Sequence, residues 1–126
     1  METKPKILVI EDDIPVQKVL ADKLGAEELD VIVASDGEKG LKMALADHPN
    51  LILLDIIMPN MDGMTMLQKL RQDEWGKDAK VVILTNLADA YKAEEANKRG
   101  VFDYLVKSDW KLEDLVKMVK DKLNKK

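Results

Sequence analysis

The chain has 126 residues, 46% of them hydrophobic and 35% charged, with a net charge of −4 and no cysteine. That length fits one compact domain spanning residues 1–126, and the composition supplies a core and argues against disorder. Disulfides, thiolate metal sites and cysteine nucleophiles are excluded, and the charge gives no reason to expect direct nucleic-acid binding.

The N-terminus, Met1-Glu2-Thr3-Lys4-Pro5-Lys6, lacks the apolar stretch and cleavage site of a signal peptide. No apolar run approaches the roughly 20 residues that cross a bilayer, so a cytoplasmic protein with no membrane contact is expected. Ile7-Leu8-Val9-Ile10 then reads as a buried strand that stops at Glu11-Asp12-Asp13. From Pro15 to Leu24 the residues Val16, Val19, Leu20 and Leu24 recur at helical spacing and end near Gly25. Val31 to Ala34 is a second strand. Ser35-Asp36-Gly37 turns and caps a helix carrying Leu41, Ala44 and Leu45, which ends before Pro49. Leu51 to Leu54 is a third strand with Asp55 at its carboxyl end. The turn-rich loop Met58-Pro59-Asn60-Met61-Asp62-Gly63 precedes a helix with Met64, Leu67 and Leu70 on one face. Val81 to Leu84 is a fourth strand ending at Thr85, and Ala88 to Arg99 reads as a helix closed by Gly100. Phe102 to Val106 is a fifth strand ending at Lys107, and Leu112 to Leu123 a last helix.

Five repeats of strand then helix, with near-continuous apolar strands, predict an α/β fold whose parallel sheet is covered on both faces. Ligands of such sheets bind outside the carboxyl ends of the strands. Those ends carry Glu11 and Asp12, then Asp55, then Thr85, then Lys107. An isolated Asp at a strand end is ordinarily a turn former, and Glu-Asp-Asp an ordinary solvated cap; joint placement on four strands is harder to obtain by chance. Three neighbouring carboxylates repel by on the order of 4 kcal/mol per pair at about 4 Å and an effective dielectric near 20. Lys107 alone does not offset that. An all-oxygen site with few protein ligands suits Mg²⁺. A carboxylate beside Mg²⁺ and an ammonium group is a nucleophile towards phosphorus, with Thr85 a donor to the added oxygens.

With these residues in place, the chain resembles the receiver domain of two-component response regulators over its whole length. The matching stretches are Ile7-Leu8-Val9-Ile10-Glu11-Asp12-Asp13, Leu53-Leu54-Asp55-Ile56-Ile57-Met58-Pro59, Met61-Asp62-Gly63, Ile83-Leu84-Thr85 and Asp103-Tyr104-Leu105-Val106-Lys107. The resemblance implies a flavodoxin-like (βα)5 fold with strand order 2-1-3-4-5. It implies that Asp55 accepts a phosphoryl group from a histidine kinase or histidine phosphotransfer protein in a Mg²⁺-dependent reaction. Asp12 would ligate the metal directly, Glu11 would place a coordinated water, and Ile57 would offer its backbone carbonyl. Lys107 would pair with the phosphoryl group, Thr85 would move towards it, and Tyr104 would be the switch aromatic. The downstream partner would read the 88–123 face, and the switch would dephosphorylate itself rather than turn over a substrate.

Three positions depart from the family's usual pattern. Ser108 follows Lys107 where proline with a preceding cis bond is usual, and a cis bond without proline costs roughly 3 kcal/mol. Asn86 stands where a smaller residue is usual. Ile57 and Leu87 are apolar where the family tunes hydrolysis, so a long phosphorylated lifetime is expected. The chain ends with its fifth helix, as expected of a stand-alone regulator or a receiver cut from a longer protein. One rival reading is a phosphorylation-independent protein-binding module of the same fold. Another is an aspartate-nucleophile phosphatase of the haloacid dehalogenase type, which carries an acid two residues after its nucleophile; here that residue is Ile57. His48 is expected to be structural or solvated, and Trp75 and Trp110 to be surface anchors.

Overall fold

The computed structural model describes residues 4–85, 103–106 and 111–124, with Thr85 and Asp103–Val106 described in their backbone alone. The strands form where apolar runs occur, rich in β-branched residues in β1, β2 and β4: β1 (Lys6–Ile10), β2 (Asp30–Ala34), β3 (Leu51–Asp55), β4 (Val81–Thr85) and β5 (Asp103–Val106). Between and after them lie α1 (Ile14–Gly25), α2 (Gly37–Asp47), α3 (Gly63–Arg71), a short 3-10 turn (Gly76–Asp78) and α4 (Leu112–Asn124). All strand pairs are parallel, and β2-β1-β3-β4 are joined at the edge by β5 through its backbone. The outcome is the expected α/β architecture with a parallel sheet. The predicted helix Ala88–Arg99, together with Asn86, Leu87, Gly100, Phe102, Lys107, Ser108 and Trp110, lies outside the described residues.

Alternation along each strand sorts the core into two layers. Leu8, Ile10, Ile52, Leu54 and Ile83 face α2 and α3, where they meet Ala44, Met66, Leu67 and Leu70. Ile7, Val9, Leu51, Leu53, Val82 and Leu84 face α1 and α4, where they meet Leu20, Leu24, Leu115 and Val119. Ile7 to Ile10 and Leu51 to Leu54 are fully buried. This explains why those runs show no polar alternation: both faces of a central parallel strand are covered. At roughly 1.5–3 kcal/mol for each such side chain, the central strands make a large contribution to the apolar stabilisation.

Each of the first three helices starts on a side-chain cap. Asp13 accepts from Val16 N, Asp36 from Lys39 N and Asp62 from Thr65 N. The cap of α2 is therefore Asp36 within the expected Ser35-Asp36-Gly37 turn. Two residues assigned to apolar helix faces are corrected. Val19 is 49% and Leu45 36% exposed. On α1 the inward place goes to Gln17, which is buried because its amide donates to Glu11 O and Ala34 O at 3.1 and 3.3 Å. Apolar periodicity cannot anticipate a polar side chain that finds backbone acceptors in the core. Trp75 is likewise not a surface anchor. It packs partly buried against the α2–α3 layer and stacks on His48 at 4.3 Å between ring centroids. His48 reaches it by closing α2 in the left-handed region, at φ 47°. Arg71 donates to Gly76 O and Ala79 O, which holds the unanticipated 3-10 turn against α3.

Candidate functional site

Because β1 and β3 are adjacent and parallel, their carboxyl ends finish side by side. Ile10 pairs with Leu54, so the next residues in each chain, Glu11 and Asp55, emerge together. One carboxylate oxygen each of Glu11, Asp12 and Asp55 lies within 4.8 Å of the others. Glu11 is fully buried, Asp55 is nearly so, and Asp12 is exposed. The three acids assigned from strand ends thus form one cluster with a buried floor and an open rim.

Local hydrogen bonds orient these carboxylates. Asp55 Oδ1 accepts from Ile56 N at 2.8 Å, and Glu11 Oε2 accepts from Asp13 N at 3.3 Å. The Gln17 amide bridges the backbone of Glu11 to that of β2 and so holds the end of β1. At 4.8 Å and an effective dielectric near 20, each pair of acids repels by about 3 kcal/mol, less where Asp12 meets solvent. A hard divalent cation relieves this repulsion, and three oxygen donors open to solvent on one side suit Mg²⁺, which retains several waters.

The other assigned residues are placed less completely. Asp55 pairs with Leu84, one residue before Thr85, and Thr85 pairs with Val106. Tyr104 pairs with Ile83 on the edge strand. The carboxyl ends of β4 and β5 therefore finish on the same edge of the sheet as the acids. Ile57, two residues beyond Asp55, is 52% exposed. Met58 is buried, and Met64 packs against the α2–α3 layer. A separate cleft of about 560 Å³, lined by Lys4, Lys6, Asp30, Asp47 and Asn50 among others, contains none of Glu11, Asp12 and Asp55.

Two features around Asp55 were not read from the sequence. Gly63 sits so close that an added Cβ would lie 2.2 Å from Asp55 O, while its N–H donates to Ile56 O at 2.7 Å. Asp36, buried on the next loop, accepts from Asn60 Nδ2 at 3.0 Å and from Lys39 N at 2.7 Å. These donors, the Lys39 N–H first and the Asn60 amide next, hold the Asp36 carboxyl below its usual range. The carboxylate's contribution to stability is thus present above the ordinary value and is lost as pH falls through the lowered one. The pairing of an Asp with an Asn 24 residues away leaves no local sequence signal.

Comparison with known proteins bears on this geometry. Residues 7–120 match the family described as response regulator receiver domain. The "Probable transcriptional regulator ycf27" of Porphyridium aerugineum is 38% identical over 104 residues, covering 82% of this chain and 42% of its own length. The "DNA-binding dual master transcriptional regulator RpaA" of Synechocystis sp. is 38% identical over 103 residues, covering 82% of this chain and 43% of its own length. The chain thus spans less than half of these relatives. The expectation of no nucleic-acid contact gains no support from a DNA-binding relative, since the net charge of one stretch says nothing about the remainder of a longer protein. Among solved structures, the receiver domain of sensor histidine kinase PA1611 from Pseudomonas aeruginosa PAO1 superposes with a TM-score of 0.87 at 25% identity, covering 97% of this chain and 99% of that one. That protein has a magnesium ion coordinated in its active site cleft. No helix among the described residues is long and apolar enough to cross a membrane. The parallel α/β sheet, the acid cluster at its carboxyl edge and the match over residues 7–120 agree: this chain belongs to the response regulator receiver domain family.

Proposed function

We propose that the protein is a phospho-acceptor switch in which Asp55 takes a phosphoryl group from the phosphohistidine of a histidine kinase or histidine phosphotransfer protein. The convergence of Glu11, Asp12 and Asp55 within 4.8 Å is the observation that carries this reading. An Asp55 carboxylate oxygen attacks phosphorus, the P–N bond to the donor imidazole breaks, and its electron pair stays with that nitrogen. Glu11, Asp12, Asp55 and the Ile57 carbonyl would hold Mg²⁺, which when bound neutralises the acids and withdraws charge from the phosphoryl oxygens. The Ile56 N–H orients Asp55 by its hydrogen bond to Oδ1. Lys107 pairs with the transferred group and Thr85 donates to it. Tyr104 answers the movement of Thr85, so that the 88–123 face changes for a downstream protein. The added group brings about −1.5 to −2 charge. The parallel pairing of β4 with β5 requires a crossover connection between them, in keeping with a (βα)5 fold. The reading places the domain in the cytoplasm.

The direct test is intact mass after incubation with Mg²⁺ and acetyl phosphate or phosphoramidate. Wild type gains one phosphoryl group and Asp55→Asn gains none. A wild type that never gains it supports instead the phosphorylation-independent binding module. Release of the group is a second readout. Ile57, two residues beyond Asp55, is half exposed, and the reading gives it and Leu87 the role of shielding the acyl phosphate from water. Replacing them as Ile57→Asn with Leu87→Glu shortens the phosphorylated lifetime several-fold once the phosphodonor is removed with Mg²⁺ retained. An unchanged lifetime removes the shielding role.

A further inference from the structure

The loop between Asp55 and α3 is clamped from a direction the proposed chemistry does not use. Its far side is held by α2: Asn60 Nδ2 donates to Asp36 Oδ2 at 3.0 Å, and Asp36 is buried. Asn60 occupies the left-handed region at φ 67°, at the centre of a three-residue turn closed by Met61 N donating to Pro59 O at 2.7 Å. Turns of this kind with positive φ are strained and persist only where surrounding contacts over-determine them. The neighbouring contact is equally tight, since a Cβ on Gly37 would lie 2.1 Å from Met61 O. At the near end the Gly63 N–H holds Ile56 O, and Gly63 abuts Asp55 O. Between these two anchors lies only a short stretch that includes Ile57.

The geometry points to Asn60 and Asp36 as a positioning pair for the acid site: their hydrogen bond fixes the 56–62 loop so that the Ile57 backbone stays in register with Asp55, Glu11 and Asp12. This assignment rests on the phospho-acceptor reading. Neither residue touches the phosphoryl group. The pair acts as the outer support of an inner ligand, and losing such supports typically weakens metal binding 10–100-fold. Asp36 also caps α2 through Lys39 N, so replacing Asp36 alone would mix two effects. Asn60→Gly separates them. Glycine adopts φ 67° without strain, and the Asp36–Lys39 cap remains, so only the clamp is removed.

The test measures Mg²⁺ affinity by calorimetry, the rate of phosphorylation by phosphoramidate, and the thermal midpoint. Wild type is compared with Asn60→Gly and with the exchange Asp36→Asn/Asn60→Asp. In the exchange, the residue 36 amide caps Lys39 with its oxygen and donates through its nitrogen to the carboxylate at 60, which restores the bond at unchanged net charge. Asn60→Gly is expected to weaken Mg²⁺ binding about tenfold and to slow phosphorylation in step. The exchange is expected to recover wild-type affinity. Wild-type Mg²⁺ affinity and rate in Asn60→Gly, with only the midpoint lowered, overturns the positioning role and leaves the phospho-acceptor reading standing. An exchange variant as weak as Asn60→Gly also overturns it. A wild type without Mg²⁺ affinity and without phosphoryl uptake overturns both readings together.

Discussion

Gly63→Ala is expected to destabilise the fold by about 3 kcal/mol, at the upper end of overpacking costs, and to impair phosphoryl uptake by the folded fraction. The added Cβ would lie 2.2 Å from Asp55 O and 2.9 Å from Ile56 Cα. Both neighbours are backbone, so no side chain can rotate out of the way. Relief requires α3 to retreat from β3 or the end of β3 to shift. The first loosens the layer in which Met66, Leu67 and Leu70 meet the sheet. The second carries Asp55 away from Glu11 and Asp12. Urea unfolding should therefore show a lower midpoint with little change in slope, because the surface exposed on unfolding is nearly the same. For a domain of this size the thermal midpoint should fall by roughly 10 °C. A Gly63→Ala protein with wild-type stability would mean that the close approach of α3 to Asp55 is not a feature of the folded protein.

Asp12→Ala is expected to move two quantities in opposite directions. Phosphorylation by phosphoramidate in Mg²⁺ should slow by on the order of 10²–10³, since several kilocalories of charge stabilisation at the phosphoryl oxygens depend on the metal. Stability in EDTA should rise instead, by about 1 kcal/mol, because one of three mutually repelling carboxylates is gone. Asp12 is the exposed member of the cluster, so its removal leaves no cavity. In wild type, Mg²⁺ is expected to stabilise the folded protein through mass action by about 2.7 kcal/mol at a hundredfold excess over its dissociation constant, and so to raise the urea midpoint. The Asp12→Ala curve should shift little with Mg²⁺. An Asp12→Ala protein less stable than wild type in EDTA would show that the acids are held by other contacts and do not strain the apo fold.

The clustering of the acids was legible because strand ends can be read from sequence. The apolar runs stop abruptly at Glu11, Asp55 and Thr85, and adjacent parallel strands bring such stops to one edge. The buried side chains of β1 and β3 were legible for the same reason. Helix faces were less so. Val19 and Leu45 follow helical spacing yet remain exposed, while Gln17 turns inward to two backbone acceptors. His48 and Trp75, far apart in sequence and unremarkable individually, become a stacked pair when α2 and the 3-10 turn meet.

By itself, then, the sequence determined the alternation of strands and helices, the two-sided burial of the central strands and the identity of the strand-end acids. All of these are properties of runs and periods only a few residues long. Tertiary structure alone decided the 4.8 Å convergence of three carboxylates, the contact of Gly63 with Asp55 and the clamp of Asn60 on Asp36. Each depends on the distance between separate elements of the fold. That distance is set by the packing of whole layers rather than by local preference.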